Sequence, residues 1–305
     1  KVCGGFAGTE SSASAGDPDA HKTYIDGGSL SRAVKSINND SSTVLRGFII
    51  KNGAARGWTE TGGGLYLENS SAQVVRCVFT ENTAEFAGGA VANHFGGSPT
   101  FVNCRFYSNG TGENKSTPLG GGAVFNHDGA PVFVNCLFHG NKASEGGAVL
   151  TLGGAVKLIN CTLTGNEAIE GDGGALYDNR GDAAIRNSVV WNNSAKKPQT
   201  NEIYNSPSLG GTTDITHSDV AGGWPGAGNI NSDPLFVDAS KNDYRIQDSS
   251  PCRDTGNDES LPADTADIDW DANTAQPLPN DLDLKPRVSG NSVDMGACEW
   301  TPGQQ

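Results

Sequence analysis

Gly-Gly-Ala-Val stands at 88–91, 121–124 and 146–149, and the residues around it return with it. Cutting the chain at these internal similarities gives six segments. They begin at Val44, Gln73, Thr100, Val132, Val156 and Ala184 and are 24 to 32 residues long. Each carries two short apolar runs of β-type alternation with turn residues between them, and none shows a helical period of useful length. Length varies between the Asn after the first run and the Gly-Gly of the second, where a loop can bulge outward without disturbing a core. A unit this small cannot bury its own apolar face. Stacking buries it, so the spacing predicts a solenoid with one turn per segment and equivalent strands paired in parallel. The handedness of parallel connections favours a right-handed coil. The expected fold class is therefore all-β: a right-handed parallel β-helix with a loop-rich C-terminal cap. Residues 1–43 read as a leading turn and loop, 44–218 as the turns and 219–305 as a cap packed on them, one structural domain in all.

Stacked turns put equivalent side chains roughly 4.8 Å apart, so repeated residues become ladders. Cys77, Cys104, Cys136 and Cys161 form one, continued by Ser188. Asn82, Asn109, Asn141, Asn166 and Asn193 form a second, at a bend, passing amide hydrogen bonds from turn to turn. Phe79, Phe106, Phe138, Leu163 and Val190 form an apolar ladder between them. The Gly-Gly pairs allow positive φ and close backbone approach at the second corner. A thiol among apolar neighbours behaves as a small hydrophobe, and the ladder thiols point in parallel, so they are expected to stay reduced.

Composition fits a thin repeated core: hydrophobic content is 35%, and the 42 glycines carry no Gly-X-Y period. The net charge of −14 leaves no basic stripe for a nucleic-acid backbone. No stretch approaches a transmembrane span. The opening Lys1-Val2-Cys3 reads as strand, which suggests a mature or trimmed chain. A monomer is expected.

Phe-x-x-Asn followed by Gly-Gly-Ala-Val, from about Val44 to Ser206, resembles the repeats of polymorphic outer-membrane protein passengers. "GNINSDPLFVDASKNDYRIQDSSPCRDTGN" from Gly228 and "DLDLKPRVSGNSVDMGACEW" from Asp281 resemble the C-terminal signature of bacterial choice-of-anchor Q surface proteins. The β-helix of that family is pectin-lyase-like, and "GGFAGTE" at Gly4 is similar to its leading turn. The resemblance implies an extracellular or cell-surface bacterial protein, and no particular reaction. Cys252 and Cys298 depart from the family's pattern in two stretches expected to lie side by side. That paired departure suggests a Cys252–Cys298 disulfide, with two unrelated buried thiols as the alternative.

Fold alone assigns no activity, so candidate chemistry is sought among outward residues that align between turns. On the second strand one outward row reads Tyr66, Ala92, Phe125, Leu150, Tyr177 and Tyr204. Two residues on, the row reads Glu68, His94, His127, Leu152 and Asn179, with Asp128 and Arg180 beside it. His94 and His127, near 5 Å apart on neighbouring turns, suit a metal pair, an acid–base pair or a sugar-binding shelf; two exposed histidines at a corner is the plainer alternative. Without firm third and fourth ligands the metal signal is weak. On the first strand the outward row reads Thr80, Tyr107, His139, Thr164 and Trp191. Its rings can stack on the C–H faces of sugars, or can lie under the loop after Asn109 or under the C-terminal segment. Asp267, Asp269, Asp271 and Asn273 place oxygens at alternate positions, as short calcium loops do. Ala272 replaces the usual Gly and no Glu closes the motif, so structural calcium stands beside a solvated acidic loop.

Two function classes follow. One is a structural or binding module that engages an extracellular polysaccharide or partner through the aromatic rows: Tyr66, Phe125, Tyr177, Tyr204, Tyr107 and Trp191. The other is a polysaccharide-degrading enzyme, a lyase before a hydrolase, with Glu68, His94, His127 and Asp128 as its candidate groups. The clustered carboxylates of a hydrolase are not found, nor is the basic set a lyase would use. Inserts at 54–61 and 110–119 walling a groove over Glu68, His94 and His127 would raise the second class.

Overall fold

The computed structural model describes every residue except 10, 11, 13–15, 58, 113–119, 207–209 and 304–305. Four parallel sheets run along one axis and form a β-solenoid of about seven turns. In the second repeat the chain passes through Gln73–Val75, Val78–Thr80, the two-residue strand Thr83–Ala84 and Val91–His94, and so contributes one strand to each sheet. Each apolar run predicted as the first strand is in fact two. The chain bends between them at Arg76, Asn103, Asn135, Asn160 and Asn187, all at left-handed φ of 48–52°. Asn reaches this region at lower cost than most side chains.

The first turn belongs to the same solenoid: Val2–Cys3, Thr23–Asp26 and Val34–Ile37 each add an edge strand. Inside, the rings of Phe79 and Phe106 stack at 5.0 Å and those of Phe106 and Phe138 at 4.6 Å. A second stack, Phe101 on Phe133 at 4.7 Å, meets the first edge-on. Both arrangements favour the ring quadrupole. At the glycine corner there is no room for a side chain: a Cβ on Gly122 would run into the carbonyl of Gly147 one turn on.

The asparagine ladder forms as expected. Each Nδ2 donates to the Oδ1 of the next turn, from Asn82 to Asn109 (3.0 Å), Asn141 (3.0 Å), Asn166 (2.9 Å) and Asn193 (2.8 Å). It ends on a residue the repeat does not announce. Where a further Asn would accept, Glu202 takes the Asn193 Nδ2 at 2.6 Å and its backbone N–H at 3.2 Å. The cysteine ladder is buried and free, and its thiols donate to backbone carbonyls, as Cys104 Sγ does to Val74 O at 3.4 Å. It ends on Ser188 and Ser218, whose hydroxyls accept from the turn before.

Trp224 closes the last turn against the core. The rest of the chain then runs back along the flank as a strap. Four outward corner asparagines hold it through Nδ2: Asn187 to Asn257 O (3.0 Å), Asn160 to Asp294 O (3.4 Å), Asn135 to Asn280 O (2.7 Å) and Asn103 to Asp281 O (2.7 Å). Arg46 continues the line by donating to Ile268 O and stacking on Trp270. The middle of the strap is polar and sealed. Arg287 is 1% exposed, donates to Asp294 O and Ala297 O, and lies 3.3 Å from Glu299.

The expected Cys252–Cys298 bridge is corrected. The two stretches do lie side by side, with Met295 N donating to Cys252 O. The thiols, however, are both free and face different clusters: Cys252 donates to Asp219 and packs with Val189 and Ile246, whereas Cys298 donates to Asp283 and packs with Leu137 and Leu282.

Candidate functional site

The register of the fourth sheet aligns both outward rows of its strands. Tyr66, Ala92, Phe125, Leu150, Tyr177 and Tyr204 are successive partners, and so are Glu68, His94, His127, Leu152 and Asn179. Alignment does not mean exposure. Ala92, Phe125 and Leu150 are buried in an outer apolar cluster with Ala87, against which Phe86, Leu152, Tyr66 and Tyr177 pack. Phe125, at 1% exposure, therefore offers no face to a ligand. Tyr66 is half-buried, with the Arg32 guanidinium 4.6 Å and the Lys35 ammonium 5.6 Å from its ring centroid and the His94 ring at 5.3 Å. Tyr177 and Tyr204 pair at 5.1 Å at the other end of the row.

The histidines meet as the spacing predicted, ring centroids 5.5 Å apart and nearly perpendicular. Their polar atoms are engaged elsewhere. His94 Nε2 is 2.9 Å from Thr61 Oγ1, His127 Nε2 is 3.6 Å from Asp128 Oδ2, and Glu68 accepts from the Tyr66 hydroxyl at 2.9 Å. Burial, helped by the neighbouring His127, pulls His94 down to about 4; it is neutral at pH 7 and a feeble base. Burial and then the Glu68 hydrogen bond push the Tyr66 hydroxyl up to about 12. Glu68 is thus tied to Tyr66, His94 to Thr61, and His127 lies nearest Asp128, so the four candidate groups fall into three separate pairings rather than one convergent set. Phe95, 62% exposed at φ 60°, sits 5.6 Å from His94 and 6.2 Å from His127. Sequence reading passed over it, although a large apolar residue inside the turn "NHFGG" is itself a signal. Of the two inserts, Thr61 of the first reaches the face; 113–119 of the second lies outside the described residues.

The outward row of the second sheet also aligns: Thr80, Tyr107, His139, Thr164 and Trp191 are successive partners. Here the C-terminal segment is the cover. A hairpin of Phe236–Asp238 and Asp243–Ile246, an antiparallel pair, lays Tyr244 5.2 Å from His139, which stacks on Tyr107 at 5.1 Å. Trp191 packs on its inner side against the cluster of Val189, Ile246, Cys252 and Met295. Tyr107 and Trp191 are accordingly half-buried rather than members of an open row.

The acidic stretch lies on the strap. Among the described residues, Asp264, Asp267 and Asp269 can each bring one oxygen to a common point, all within 4.8 Å of one another. Asp264 was not among the expected ligands; it is buried, and burial, reinforced by the neighbouring aspartates, pushes it up to about 6. Asp271 and Asn273 are turned to loop closure, with Asn273 N on Asp271 Oδ1 and Gln276 Nε2 shared by Asp269 and Asp271.

Among the described residues, no helix is long and apolar enough to cross a membrane. No curated protein matches the sequence. A family model described as right handed beta helix region matches residues 32–196.

Proposed function

We propose a binding function for this chain, which belongs to the right-handed β-helix family by the match over residues 32–196. In this reading it is a cell-surface or secreted bacterial module whose fourth-sheet face engages an extracellular polysaccharide. One observation carries it: Tyr66, His94, Phe95 and His127 hold an aromatic patch in which the Glu68 carboxylate, the Tyr66 hydroxyl and His94 Nε2 are already hydrogen-bonded locally. Rings fixed on successive turns suit stacking on a sugar chain, and groups so engaged are not poised for proton transfer. The test is retention of the chain on immobilised neutral and uronic polysaccharides, with ultraviolet absorbance of unsaturated product followed in the same samples. Retention without product is expected, weakened about tenfold by Tyr66→Ala or Phe95→Ala. Product that disappears in His94→Ala or His127→Ala would replace the binding module with a lyase.

The same reading includes a structural calcium ion held by Asp264, Asp267 and Asp269. Hard oxygen donors from one loop suit that cation, and a dication would offset the cost of ionising a buried Asp264. The sign of the linkage makes this testable. Asp264 has a folded-state pKa near 6, above its ordinary 3.8, so its ionisation erodes stability as pH rises through that window. Added calcium is expected to raise the melting temperature more at pH 7 than at pH 5, and Asp264→Asn to abolish the difference. Equal shifts at both pH values, or none, would remove calcium from the account.

A further inference from the structure

A cleft of about 400 Å³ opens between the second sheet and the C-terminal hairpin, away from the fourth-sheet face. Trp191 of the sixth repeat and Tyr244 and Phe236 of the hairpin line it, with Thr164, Asn192 and Asp233 among the polar groups. Its volume lies in the range of small-ligand sites. Phe236 and Tyr244 meet edge-on at 5.4 Å, which holds the hairpin wall in one orientation. On the other side Trp191 is fixed from behind by the buried cluster of Val189, Ile246 and Met295. The aromatic walls are therefore pre-set rather than ordered on binding, which lowers the cost of association.

The polar groups decide the ligand class. The Asn192 carboxamide is exposed. Asp233 is exposed as well and spends one oxygen on Leu235 N at 2.9 Å. Among the described residues that line the cleft, Asp233 alone is charged, in a chain of net charge −14. Flat aromatic faces beside a carboxylate and a carboxamide match a pyranose ring, whose C–H face is apolar and whose rim is hydroxyl. A uronate would bring its own carboxylate against Asp233 with no cation to offset it.

We propose that this cleft is a second carbohydrate site, distinct from the fourth-sheet face, and that it takes neutral hexose or N-acetylhexosamine units and rejects uronates. The site is formed only when hairpin and solenoid are docked, so the strap creates a binding site as well as closing the fold.

The experiment is calorimetric titration of the full chain with neutral oligomers of glucose, mannose, galactose and N-acetylglucosamine, and with an oligogalacturonate of equal length. Tryptophan emission is recorded alongside. At least one neutral oligomer is expected to bind and to change emission, with the oligogalacturonate inert at this site. Trp191→Ala is expected to weaken binding at least about tenfold, and Trp191→Phe to restore most of it. Asp233→Lys, an exposed change that leaves the core alone, is expected to admit the oligogalacturonate; it decides the matter should Trp191→Ala misfold. Tyr66→Ala should leave this binding intact, which separates it from the fourth-sheet reading. Neutral binding unchanged in a folded Trp191→Ala would overturn the proposal, and so would an Asp233→Lys chain that still excludes the oligogalacturonate, or the absence of binding by every neutral oligomer.

Discussion

Replacing Arg287 with alanine is expected to cost about 3–5 kcal/mol, the range for breaking a buried ion pair from one side. Arg287 and Glu299 are each buried to about 1% side-chain exposure and lie 3.3 Å apart. Asp281 and Asp294 are buried beside them, and each accepts from strap backbone N–H groups: Asp281 from Glu299 N and Lys285 N, Asp294 from Trp300 N and Asp254 N. Arg287 is the cation that lowers all three carboxyls, yet burial still pushes Glu299 up to about 7. Without the guanidinium each carboxyl moves higher, so the variant carries groups that resist ionisation in the folded state. A folded pKa above the unfolded value means stability present at low pH and lost as pH rises through the window. The deficit of Arg287→Ala, measured by urea unfolding, should therefore grow between pH 5 and pH 8. Arg287→Ala with Glu299→Gln should recover part of it, since one uncompensated charge is gone. A deficit that is the same at pH 5 and pH 8 would mean that Arg287 acts by packing alone.

The ladders were legible in the sequence because they repeat. A residue needed in every turn at one register leaves a period, and Cys104, Asn109 and Phe106 each declare their place through their equivalents. The corner asparagines illustrate the limit of that signal. Asn103, Asn135, Asn160 and Asn187 repeat just as visibly, one residue before the cysteine position. Their role stayed hidden because their partners, Asp281, Asn280, Asp294 and Asn257, lie in a segment with no repeat of its own. Whether Phe125 or Tyr107 is open was hidden for a related reason. Strand alternation assigns the outer face, but what lies on that face is decided by long-range contacts, an outer apolar cluster in one case and a hairpin more than 100 residues away in the other. The Cys252–Cys298 pairing rested on paired departures from the resembled pattern in two stretches expected to lie side by side; the adjacency is correct, whereas a bridge requires the side-chain vectors to converge, and these lead to Asp219 and Asp283. Glu202 was invisible because it occurs once.

That single residue makes the second large prediction. Five asparagine side chains, each donating along the axis to the next, form a polarised chain whose last donor needs an acceptor, and Glu202 supplies it at 2.6 Å. Hydrogen bonds in such a chain reinforce one another at low dielectric. Glu202 is 8% exposed; burial outweighs the hydrogen bonds from Asn193 and the Asn192 backbone and pushes it up to about 7 from 4.5. With the folded value above the unfolded one, the contribution is full below pH 4.5 and is lost as pH rises through 7. By pH 8 the loss is on the order of 3 kcal/mol. Glu202→Gln keeps an oxygen for the Asn193 amide and cannot ionise. The stability difference between wild type and Glu202→Gln should therefore move in the variant's favour by on the order of 3 kcal/mol between pH 4.5 and pH 8, whatever the fixed cost of the amide's own N–H groups. Glu202→Ala leaves Asn193 without its acceptor, so it should be destabilised at every pH, with protection of the Asn193 and Asn166 amides against hydrogen exchange lost first. A difference between wild type and Glu202→Gln that stays flat with pH would show that the ladder's terminal carboxylate keeps its ordinary acidity. The hydrogen bonds at that end of the solenoid would then outweigh its burial.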